Sequence, residues 1–103
     1  MAGQLSFADF VESSRVAGPP PAQLSPALKA LWCDHQGRWD EAHRWVQESS
    51  AEADAWVHAY LHRKEGDLPN ASYWYRMAGR TTPSAKLDEE WEQLARTLLK
   101  APV

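Results

Sequence analysis

Cysteine, surplus positive charge and long apolar runs are all scarce in this sequence. Cys33 is the one cysteine among 103 residues, which excludes an internal disulfide framework and any cysteine-rich zinc module. The formal net charge of −3 argues against a nucleic-acid partner, because phosphate binding needs clustered surplus Lys and Arg. No stretch has the length and apolarity of a membrane span, and residues 1–20 interleave charged with apolar residues, unlike a signal peptide. We therefore expect a cytoplasmic protein with neither a membrane nor a nucleic-acid partner.

The apolar residues recur at helical spacing, and proline and glycine separate them into blocks. Polar residues typical of helix starts precede four of the blocks: Ser6, Ser25, Asp67 and Ser84. Gly37, Gly66 and Gly79 are typical of helix ends. No block shows the strict alternation of a half-buried strand. The pattern predicts an all-α fold of about six helices, over 4–16, 26–36, 39–48, 52–65, 68–78 and 84–100. Within one domain, residues 1–23 form an N-terminal helix and a Pro-rich connector, and residues 24–103 form the main helical unit.

Two blocks of the chain align when the sequence is shifted by 29 residues. The shift superposes Gly37 on Gly66 and Ala42 on Ala71. Alanine permits close helix approach and glycine makes the turn, so the blocks have the pattern of two helical hairpins. Any two amphipathic helices joined by a glycine turn align in a similar way, which is the alternative interpretation.

The run from Gly66 to Ala78, GDLPNASYWYRMA, resembles the turn and second helix of a tetratricopeptide repeat, and the run GRWDEA from Gly37 resembles a second copy. The resemblance covers residues 24–79 and implies two antiparallel hairpins, with the helices at 4–16 and 84–100 as flanking elements. The period of 29 residues departs from the roughly 34 typical of this family. The stretch 55–67 also resembles small bacterial proteins of uncharacterised function, which implies no activity.

The tetratricopeptide resemblance implies a non-catalytic protein that binds a protein or peptide partner. In that register one face combines aromatic, acidic and basic side chains: Trp56, Tyr60, Arg63, Lys64, Leu31, Asp34 and His35. Arginine can fork onto a carboxylate while tryptophan and tyrosine supply rigid contact area, so acidic peptides are the expected ligands. The alternative is that Trp56 and Tyr60, which lie at core spacing, simply pack. We call these seven residues the aromatic–basic face.

A second function class rests on His58 and His62, which lie four residues apart on one predicted helix. Such a pair can chelate one metal ion, with further ligands from elsewhere, for which His35 and His43 are the other histidines. The helix's own apolar arc points the pair outward, whereas the repeat register buries it beside Ala59, with Tyr73 and Asn70 as hydrogen-bond partners. No HExxH pattern, phosphate loop or nucleophile motif occurs, so the sequence predicts no cofactor and more readily a binding protein than an enzyme.

A third class is a homo-oligomer, because two repeats alone leave edges uncovered. The spacing of the tryptophans predicts core positions: Trp32, Trp45, Trp74 and Trp91 occupy the apolar stripes of four successive helical segments.

Overall fold

The computed structural model describes residues 5–100 and contains six helices in that range. They are α1 (Phe7–Ser13), α2 (Pro26–His35), α3 (Trp39–Val46), α4 (Glu52–Glu65), α5 (Leu68–Met77) and α6 (Leu87–Lys100). No strand occurs among these residues, so the all-α prediction is confirmed. None of the six helices is both long and apolar enough to cross a membrane.

Local sequence explains most helix boundaries. The side chains of Ser6, Ser25 and Asp67 each accept a hydrogen bond from a backbone N–H in the first turn of α1, α2 and α5. Such caps satisfy amide groups that have no partner within the helix. The predicted starts of α2 and α5 are therefore confirmed at the residues that the sequence indicated.

The glycines at positions 37 and 66 end α2 and α4 in the same way. Gly37 has φ +79° and Gly66 has φ +91°. In both places the glycine N–H and the next N–H bond back to carbonyls three and five residues earlier, as in a Schellman motif. Gly79 ends α5 with the same pair of hydrogen bonds. The motif is thus a general helix end in this chain and is not diagnostic of a repeat.

Consecutive helices pack in pairs, α2 with α3 and α4 with α5, and α4 also contacts α2, α3 and α6. Helix α4 lies at the centre, and nine of its residues are buried in one unbroken run, from Asp54 to His62. This explains why its apolar pattern on one face is weak. A helix covered around most of its circumference has no need of a single apolar stripe.

The structure differs from the predictions in three places, at helix α1, at helix α6 and at Trp45. Helix α1 is shorter than 4–16, because beyond Ser13 the chain continues in turns and Gln36 donates to the carbonyls of Ser14 and Val16. Gln4 lies outside the described residues. Helix α6 begins at Leu87 and is not capped by Ser84: the first helical bond runs from the N–H of Glu90 to the carbonyl of Lys86.

The third difference concerns Trp45, which was expected in the core and is 38% exposed. Its ring lies under the ammonium group of Lys29 at 4.5 Å. By contrast, Trp32 and Trp91 are buried and Trp74 is partly buried. Phe10 of α1 is fully buried in the same core cluster as residues of α2, α4 and α6, so the N-terminal helix packs against the rest of the fold.

Candidate functional site

Three imidazole rings meet where α3 packs against α4. His43 comes from α3, and His58 and His62 come from successive turns of α4. One ring nitrogen from each histidine lies within 4.8 Å of the other two. Nε2 of His43 is 3.0 Å from Nε2 of His58, which is hydrogen-bonding distance. We call His43, His58 and His62 the histidine cluster.

Trp39 fixes the position of His43 relative to α4. Its indole Nε1 donates a hydrogen bond of 2.8 Å to the backbone carbonyl of Leu61 on α4. Its ring stacks on His43 with 5.0 Å between centroids and 8° between planes. The buried Ala42 precedes His43 on α3, and the buried Ala59 follows His58 on α4. Small side chains allow two helices to approach closely.

A carboxylate orients the His62 ring. Nδ1 of His62 lies 2.7 Å from Oε2 of Glu65, three residues later on α4. An ionised carboxylate only accepts hydrogen bonds, so the proton of a neutral His62 lies on Nδ1 and the lone pair on Nε2. A carboxylate that binds the far nitrogen of a histidine is the usual outer support of a metal-ligating imidazole.

His58 has a buried polar atom without a partner. Its Nδ1 makes no hydrogen bond and is shielded from solvent, and the Trp74 ring stacks on the imidazole at 4.0 Å between centroids. The partners expected from the sequence, Tyr73 and Asn70, do not bond to the histidines: Asn70 donates to Asp67. In the described part of the chain, the Nε2 atom that faces His43 is therefore the only hydrogen-bonded nitrogen of this ring.

The environment of His43 and His58 disfavours their protonated forms. His58 is 3% exposed and His62 is 7% exposed. Burial lowers the pKa of His58, and the charges that His43 and His62 would carry act in the same direction, so that this pKa lies at about 4. Burial and His62 also lower the pKa of His43. A neutral imidazole keeps one nitrogen lone pair free, and this is the form that coordinates metals.

The cluster is reached from solvent through an open cavity of about 490 Å³. Polar and aromatic side chains line this cavity: His43, Gln47, Glu48, His58, His62, Asn70 and Trp74. An ion could enter here, and a water molecule or an exogenous ligand would have room beside the three rings.

Zinc–imidazole bonds of about 2.0–2.1 Å in a tetrahedral site place the ligating nitrogens about 3.3 Å apart. The His43–His58 distance of 3.0 Å is close to that value, and the three ligating nitrogens all lie within 4.8 Å of one another. The residues present therefore fit a site with three imidazole ligands and an open fourth position.

The aromatic–basic face is brought together by α2 and α4, but it lies beneath α6. Trp56 is 5% exposed, Tyr60 is 2% exposed, and Leu31 and Asp34 are buried. The hydroxyl of Tyr60 donates to Asp34 at 2.8 Å. Burial and the nearby Asp34 raise the pKa of this tyrosine. Two of the remaining polar members also have partners within the chain: Lys64 binds Asp34, and His35 bonds to Ser14.

Sequence reasoning named His58 and His62 but included His43 only as one of the remaining histidines. The signal for His43 is its spacing from Trp39, since residues four apart lie on the same helix face. That spacing is informative only once α3 is known to pack against α4.

Comparisons of the chain with protein-family models, with curated proteins and with solved structures find no match. Any assignment of function therefore rests on the geometry of the chain itself.

Proposed function

We propose that this protein binds a divalent transition-metal ion, of which zinc is the reference case, through His43, His58 and His62. The observation that carries the proposal is the convergence of three ring nitrogens within 4.8 Å of one another, supplied by two helices. This extends the expectation from the pair on α4 by adding His43 from α3.

A purely structural role explains the cluster less well than metal binding does. Nε2 of His58, the nitrogen that faces the cluster, has His43 as its hydrogen-bond partner at 3.0 Å, and a metal ion between the two rings would bind both of these nitrogens. The lowered pKa of His58, about 4, keeps this ring neutral at pH 7. An apolar aromatic residue would fill the same volume without burying a polar nitrogen. Retention of three adjacent imidazoles is understandable if a ligand uses their lone pairs.

The outer surroundings suit a cation. Glu65 binds the far nitrogen of His62, and Glu48 lines the mouth of the cavity. Two carboxylates near three imidazole ligands offset the charge of a divalent ion. Neutral imidazole is a good ligand for zinc, copper and nickel, whereas magnesium and calcium prefer oxygen ligands. We therefore assign the site to the imidazole-preferring group of metals.

The experiment is a zinc titration of the chain, purified without a histidine tag, by isothermal titration calorimetry at neutral pH. We expect one zinc ion per chain. His43→Gln and His62→Gln should each weaken binding by at least about 100-fold, and Glu65→Gln by about 10- to 100-fold through the outer contact. His35→Gln is the matched control, because this histidine lies on α2 outside the cluster.

Circular dichroism checks that each variant is folded before it is titrated. Equal zinc affinity for wild type and His43→Gln, or an equal loss in His35→Gln, would refute the proposed ligand set.

A further inference from the structure

The groove between α2 and α4 already holds a ligand, which is the chain's own helix α6. Arg63 donates to the Glu90 carboxylate at 2.7 Å, and the Tyr75 hydroxyl donates to its second oxygen at 2.5 Å. The indole Nε1 of Trp91 donates to the Leu31 carbonyl at 3.1 Å. Glu90 is 1% exposed, so these contacts are sheltered from water.

An empty groove would leave several polar groups without partners. Arg63 has Glu90 and the Ala85 carbonyl as its partners, and both lie on α6 or on the segment leading to it. The Tyr75 hydroxyl would lose its acceptor. Unpaired groups of this kind are costly when buried. Rebinding of a helix that carries Glu90 and Trp91 is therefore strongly favourable once the groove has opened.

The connection to α6 is unlike the other connections of the hairpins. Turns of three and two residues separate α2 from α3 and α4 from α5, whereas residues 78–86 separate α5 from α6 without helix or strand. Nine residues can span roughly 30 Å when extended. Thr81, Thr82 and Pro83 lie within this segment, and proline favours an extended course. The helix and its groove are therefore joined by a long tether.

We propose that the groove also accepts α6 from a second copy of this chain, so that two chains exchange their C-terminal helices. A second copy brings Glu90 and Trp91 in the same register, so that its Glu90 pairs with Arg63 and its Trp91 with the Leu31 carbonyl. The exchange reuses every groove contact and closes as a two-fold dimer.

Exchange between wild-type copies competes with the tethered helix. The tether of residues 78–86 holds α6 at a high effective concentration beside its own groove, and this concentration falls as a flexible tether lengthens. The exchanged dimer therefore gains population at high protein concentration or when pairing within one chain is damaged. The proposal is independent of the metal site, because none of the contacts named above involves the histidine cluster.

Reciprocal charge variants test the exchange in the full chain. Arg63→Glu places two carboxylates together within one chain, and Glu90→Arg places two guanidinium groups together. In a mixed dimer, the carboxylate introduced at position 63 of one copy meets the guanidinium introduced at position 90 of the other. The second groove of that dimer keeps the original Arg63–Glu90 pair. Native mass spectrometry of the mixture should show a one-to-one dimer at least about tenfold more abundant than dimers of either variant alone.

The double variant Arg63→Glu/Glu90→Arg is the control, because it restores an opposite-charge pair within one chain and should be a folded monomer. If it folds and the mixture remains monomeric, the proposal is refuted. Equal dimerisation of one single variant alone refutes it as well.

If the double variant fails to fold, a peptide-binding measurement tests whether the groove accepts α6 from another molecule. A labelled peptide of residues 84–100 is titrated into full-length Glu90→Gln, whose own helix is a weakened competitor. Saturable binding of this peptide, with at least about tenfold weaker binding of its Trp91→Ala form, supports the proposal. No binding, or equal binding of both peptides, overturns it.

Discussion

Acidification should destabilise this protein through His58 in a way that can be isolated by one substitution. The buried ring has a pKa of about 4, lowered from 6.5. The unfolded chain therefore binds a proton at this position between about pH 6.5 and about pH 4, whereas the folded chain does not. The stability that depends on a neutral His58 is fully present above about pH 6.5 and is lost as the pH falls toward 4.

The magnitude follows from the size of the pKa change. A shift of one unit corresponds to about 1.4 kcal/mol, so the change from 6.5 to about 4 gives a loss of about 3 kcal/mol between pH 7 and pH 4. Domains of this size have unfolding free energies of about 5–15 kcal/mol. The protonation of one histidine thus removes a substantial share of the total.

The assay is urea unfolding, followed by tryptophan fluorescence, at pH values from 7 to 4 in metal-free buffer. His58→Phe keeps an aromatic ring against Trp74 but cannot take up a proton. We expect the unfolding free energy of wild type to fall by about 3 kcal/mol more than that of His58→Phe over this range.

Other groups also titrate in this range, and comparison of the two proteins removes their shared contribution. Tyr73→Phe is the control, because this exposed aromatic residue lies outside the histidine cluster and the variant should follow wild type. If wild type and His58→Phe lose stability in parallel, the reasoning from burial to pKa is wrong.

Two further predictions concern stability at neutral pH. Trp91→Ala should lower the unfolding free energy by about 3–5 kcal/mol, because the ring is buried and its N–H binds the Leu31 carbonyl. The partly exposed Trp45 provides the control. If Trp45→Ala loses as much unfolding free energy as Trp91→Ala, the argument from burial is wrong. Gly66→Ala should cost about 1–2 kcal/mol, because φ is +91°. A new Cβ would meet nothing within 4 Å, so the expected loss of stability comes from backbone strain alone. An unchanged denaturation midpoint of Gly66→Ala would show that this strain is absent.

Local chemistry is what the sequence predicted well. Ser6, Ser25 and Asp67 cap helices at the residues expected from their types, and the three glycines with positive φ after α2, α4 and α5 end them as expected. Each of these features depends on neighbours within about five residues, which the sequence contains directly. The all-α class follows from the same short-range patterns.

Features set by packing between distant segments were less predictable. Trp56 and Tyr60 have the spacing of core residues and also the register of an open face, and only the position of α6 decides that they are covered. Trp45 has the spacing of a buried residue, yet no further helix of the described chain covers it. His43 meets His58 and His62 where α3 packs against α4, and there Trp39 binds the carbonyl of Leu61, a contact between segments 22 residues apart.

The indoles of Trp39 and Trp74 flank the histidine cluster, stacked on His43 and His58 respectively. Indole emission responds to charge brought close to the ring, and two of the six emitters of this chain therefore adjoin the groups that take up protons. Trp39 and Trp74 are therefore intrinsic fluorescence probes of the histidine cluster. A change in the charge of the histidine rings can consequently be followed by tryptophan fluorescence in the unlabelled chain. The four other indoles lie outside the cluster and contribute a background emission.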